Sequence, residues 1–64
     1  MATKEEVATK VAKDLNISLA DAKDIVNEIA WEIADVLDLG LGQKAVEEIL
    51  YEFGLDSSAL TAFM

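Results

Sequence analysis

The 64-residue chain carries five lysines, no arginine and thirteen carboxylates, a net charge of −8 at pH 7, and it contains no cysteine and no histidine. That inventory excludes a disulfide framework, a thiolate nucleophile and the usual cysteine or histidine zinc site, while the charge sign disfavours phosphate backbones and anionic lipid headgroups. A chain this short makes one domain at most and buries only about 60% of the surface its unfolded form exposes, so helix packing and self-association are left to stabilise it.

The first predicted element opens at Thr3, which with Glu6 reads as a capping box: hydroxyl and carboxylate each satisfy an orphan N–H. Val7, Val11 and Leu15, flanked by Ala8 and Ala12, then form one stripe at helical spacing. Asn16 suits a left-handed helix end, and Ser18 with Asp21 caps a second helix at once, which predicts a helical hairpin with a very short connection. Helix 2 is expected from Leu19 to Leu39, with the apolar stripe Ala22, Ile25, Val26, Ile29, Ile33, Val36 and Leu37. Trp31 and Ala34 fall off that stripe, a pattern expected of a helix covered on two sides, by helix 1 and by either helix 3 or another subunit.

Gly40 and Gly42 end helix 2, and Val46, Ile49, Leu50 and Phe53 mark a third helix over residues 43–53, closed by Gly54. Asp56 is placed to cap a last short helix that carries Leu60, Phe63 and Met64 back to the core. The expectation is an all-α single domain over residues 1–64, with three main helices and a short C-terminal one: a 4–39 hairpin followed by C-terminal helices over 43–63. Apolar runs of a few residues fall far short of the ~20 needed to cross a bilayer. The N-terminal Met1-Ala2-Thr3-Lys4-Glu5-Glu6 lacks the order of a signal peptide, so the expected location is cytoplasmic.

Over residues 4–40 the chain resembles the N-terminal helical hairpin of the HU/IHF family of histone-like DNA-bending proteins. The residues that carry the resemblance are Lys4-Glu5-Glu6-Val7, Val11-Ala12, Ile17-Ser18, Asp21-Ala22, Val26, Ile33, Asp35, Leu37 and the closing Gly40, with Trp31 where that family usually has phenylalanine. The resemblance implies an obligate homodimer of interlocked hairpins in which Trp31, off the main stripe, is buried by the second subunit. The family continues from this glycine into a sheet and two basic arms that enter the minor groove, whereas residues 41–64 here read as helix and carry only Lys44. The resemblance therefore implies the dimer module without the DNA-bending activity.

The candidate sites are surfaces. Asp21, Asp24, Glu28, Glu32 and Asp35 fall within about 80° around helix 2 and span about 21 Å of its length, a carboxylate ridge. Its neighbouring acids lie ~5–6 Å apart, comparable with phosphates along a nucleic-acid strand, so the ridge either mimics DNA toward a basic protein or serves as a solvated face. The expected dimer interface is Val26, Ile29, Ala30, Trp31, Ile33, Ala34 and Leu37, and Tyr51, opposite the helix 3 stripe, is a candidate aromatic anchor. Packing within the chain or across a dimer is the ordinary explanation of both aromatic residues, and only what it leaves over argues for a foreign partner.

No catalytic, cofactor or metal residues are expected. Ser18, Ser57 and Ser58 sit at helix starts with no histidine to activate them, and exposed carboxylates lack a pocket to separate their pKa values. Gly40-Leu41-Gly42-Gln43-Lys44-Ala45 spells a loose dinucleotide fingerprint but follows a helix and not a strand. The segment Asp35 to Gly40 places leucine where a calcium loop needs oxygen. The leading expectation is an acidic, homodimeric interaction protein, a decoy or DNA mimic directed at a basic or HU-like protein, with no membrane partner and nucleic acid disfavoured. The alternatives are a purely structural dimer, and an atypical HU-like DNA binder using Lys4, Lys10, Lys13 and Lys23.

Overall fold

The computed structural model describes residues 3–63, which form three α-helices and a closing 3-10 helix, with no strand among the described residues: α1 Lys4–Leu15, α2 Leu19–Asp38, α3 Gln43–Glu52 and the 3-10 helix Ser57–Ala62. The starts follow the capping chemistry. Thr3 Oγ1 accepts from the Glu6 N–H at 3.2 Å, Ser18 Oγ from the Asp21 N–H at 3.1 Å, and Asp56 Oδ1 from the Ser58 N–H at 2.9 Å. At Thr3 only the hydroxyl half of the capping box forms; the Glu6 carboxylate makes no return bond. The 3-10 helix also draws the Ser58 hydroxyl onto the Asp56 carboxylate.

All three α-helices end the same way. Asn16, Gly40 and Gly54 adopt φ values of 56°, 78° and 78°, and the next residue's N–H reaches back five residues: Ile17 to the Ala12 carbonyl, Leu41 to Val36, Leu55 to Leu50. In this termination the residue after the left-handed one packs against the helix's last turn. Leu55 does so within the core and Ile17 half-buried against it. Leu41 does not, and remains 50% exposed. A Cβ on Gly54 would meet no neighbour within 4 Å, so Gly54→Ala tests backbone strain alone. It is expected to cost about 1 kcal/mol in chemical denaturation, the left-handed penalty of an L-residue.

The core is wholly apolar: Val7, Ala8 and Val11 from α1, Ala22, Val26, Ile29 and Ile33 from α2, Val46 and Leu50 from α3, then Leu55 and Ala59. The elements close a ring, α1 against α2, α2 against α3, α3 against the 3-10 helix, and the 3-10 helix back against α1. The second neighbour of α2 is thus α3 of the same chain.

Some expectations need correction. Leu39 is the cap of α2 and Phe53 the cap of α3, one residue short of the expected ends. Leu15 is exposed because the helix-terminating turn follows at once and puts Ile17, two residues on, into the packed position. Leu37 lies on the rim of its stripe and is 39% exposed. At the C-terminus Leu55 and Ala59 are the buried residues, whereas Leu60 and Phe63 are half-buried. The tight three-residue repeat of a 3-10 turn brings only one side chain per turn inward. Met64 lies outside the described residues.

Asp56 supplies a pH dependence. Hydrogen bonds from the Ser58 side chain, then the Ser58 backbone, hold its carboxyl below the ordinary aspartate value of 3.8. A depressed folded-state value means the cap's contribution is present above 3.8 and is lost as pH falls through that lowered value. Asp56→Ala is expected to lower Tm at pH 7, and the gap from wild type should close on acidification, as thermal melts across pH 2–7 would register.

Candidate interaction surface

Among the described residues no buried side-chain nitrogen or oxygen lacks a hydrogen bond, no group of three or more carboxylates is placed to hold a metal ion, and no helix is long and apolar enough to cross a membrane. What distinguishes the surface is the outer side of α2. Asp21, Asp24, Glu28, Glu32 and Asp35 are all exposed. The one ion pair among the described residues is Lys10–Asp14, at 3.4 Å within α1, so none of the ridge carboxylates is paired.

The seven residues expected at a dimer interface divide. Val26, Ile29 and Ile33 belong to the core of the single chain and offer nothing to a partner while it is folded. Ala30 is half-buried, and Trp31, Ala34 and Leu37 are exposed, Trp31 by 73%. Chain geometry explains the division. With 12 residues against 20, α1 is eight residues shorter than α2. Because the two run antiparallel from a three-residue connection, the last two turns of α2 project about 12 Å beyond α1. Over those turns α3 covers one side only.

Leu41, just past the end of α2, is a further exposed apolar side chain. Residues 30, 34 and 37 follow spacings of four and three, the seam spacing of a helix pair, and Leu41 adds an exposed leucine just past the helix end, all four uncharged in a chain with thirteen acids. Alanine at two of the four positions leaves room for close approach of a second helix.

Trp31 borders the strip and the ridge. It lines an open cleft of about 270 Å³ with Glu28, Glu32 and Phe53, the last reaching across from the end of α3. Phe53 is a partner that helical periodicity within α2 has no means of signalling. Tyr51 is 56% exposed on α3 and is not among the residues that line this cleft.

Compared with protein-family models, with curated proteins and with solved structures, the chain matches none. The functional reading therefore rests on the surface itself.

Proposed function

We propose that this protein is a non-enzymatic interaction module that works as a homodimer and presents its acidic ridge to a basic protein. The observation that supports it is the uncovered outer side of α2, where an uncharged seam, an exposed tryptophan and five unpaired carboxylates share one helix while the core beneath is closed and apolar. Burial of Ala30, Ala34, Leu37 and Leu41 between two copies would cover the apolar strip and leave both ridges outward. The hairpin's HU-like resemblance also implies a dimer, although one whose second subunit buries Trp31, whereas this seam leaves Trp31 outside it. A basic protein that binds DNA is the partner such a ridge suits, since carboxylates at successive helical turns offer it a line of negative charge.

The test is competition. A preformed complex of duplex DNA with an HU-type protein should release its DNA when this protein is added, and release should weaken steeply as salt rises. Glu28→Lys with Glu32→Lys should abolish the release. Undiminished displacement by that double variant would remove the ridge from the account.

A further inference from the structure

We infer that the cleft lined by Trp31, Phe53, Glu28 and Glu32 is the anchor point of the basic partner and takes one arginine side chain from it, an inference that rests on the interaction-module reading above. The cleft is an aromatic groove whose occupant is specified by charge. Phe53 packs against the core and so fixes one wall, whereas Trp31 offers most of its indole to solvent. An indole face attracts a cation through its quadrupole, and among side chains a guanidinium also stacks on it as a plane.

Glu28 and Glu32 stand one helical turn apart on the cleft. Two like charges at this spacing repel in the free protein, and no lysine pairs with either. A cation between them relieves that repulsion, and its fork of donors matches carboxylates on both sides. An apolar ligand would leave both carboxylates facing a desolvated contact, and an anion would be repelled. The aliphatic stem of arginine has Phe53 and the Trp31 ring edge to lie along, whereas the compact, strongly hydrated ammonium of lysine gains less from the ring.

Trp31 is the only tryptophan, so its emission reports on this cleft alone. The probe is a hexa-arginine peptide, titrated at moderate salt with intrinsic fluorescence and calorimetry recorded in parallel. Saturable binding with a change in Trp31 emission is expected, along with weaker binding of hexa-lysine. Glu28→Gln with Glu32→Gln should weaken affinity by at least about fivefold, and Trp31→Leu by a similar factor, the range of a desolvated cation–aromatic contact with its flanking charges. Asp21→Asn with Asp24→Asn removes the same two charges from the ridge outside the cleft and should weaken it by less than about twofold, as expected of screened long-range attraction.

Equal losses from the two double variants, or calorimetric binding with unmoved Trp31 emission, would overturn the cleft and leave the ridge as a diffuse acidic surface. A cleft that binds arginine in a protein unable to displace DNA would overturn the mimicry and keep the anchor. All five substituted positions are exposed in the free chain, so circular dichroism should show unchanged helix in each variant.

Discussion

Ile29→Ala is expected to remove a fifth or more of the protein's stability. Ile29 has no exposed surface and lies at the middle of α2, the helix that packs on both α1 and α3. Truncation of such a side chain costs roughly 2–5 kcal/mol through lost burial and the cavity left behind. A chain of 64 residues has on the order of 3–10 kcal/mol in total, so at the lower end the variant is unfolded at ambient temperature. Leu39→Ala is the matched control: a side chain of the same size at the end of the same helix, 76% exposed, for which a change within about 0.5 kcal/mol is expected. Urea titrations at equal protein concentration compare the two. Similar midpoints would mean that α2 does not carry the core as described.

The second large effect concerns assembly. Ala34 is exposed at the middle of the uncharged strip, so glutamate there is harmless to the monomer and a good helix former. Between two copies it would bury a charge with no partner, at a cost of several kcal/mol. The chain's net charge of −8 adds a further signature. Two such chains repel each other, so rising salt should tighten self-association through the apolar strip while loosening the grip on a basic partner. Opposite salt dependences for the two interactions would separate the two faces of α2 without any mutation.

Helix positions were legible because their punctuation is local. Thr3, Ser18 and Asp56 begin elements, and Asn16, Gly40 and Gly54 end them, through chemistry that a few neighbouring residues decide. Core residues were legible where helical spacing is regular, as from Ala22 to Ile33. The reading weakened where a side chain's fate depends on another element. Leu15 looks like core by spacing but meets only the turn, and Ala59 looks too small to matter but fills the seat opposite α1.

The candidate surface was legible in part for the same reason. The ridge is a property of one helix and followed from its period. The division of the expected interface depended on where α3 folds back and on the difference in length between α1 and α2, which separates Val26, Ile29 and Ile33 inside from Trp31, Ala34 and Leu37 outside. That Trp31 and Phe53, 22 positions apart, line one cleft depends on the turn at Gly40 and on no local signal.

Sedimentation equilibrium over a concentration series, with wild type and Ala34→Glu side by side, asks whether the uncharged strip joins two copies of the chain. The expected result is a wild-type dimer that strengthens with salt, and an Ala34→Glu protein of unchanged helicity that stays monomeric at every concentration. A wild-type monomer throughout, or a dimer indifferent to glutamate at position 34, would rule out a dimer built on this strip.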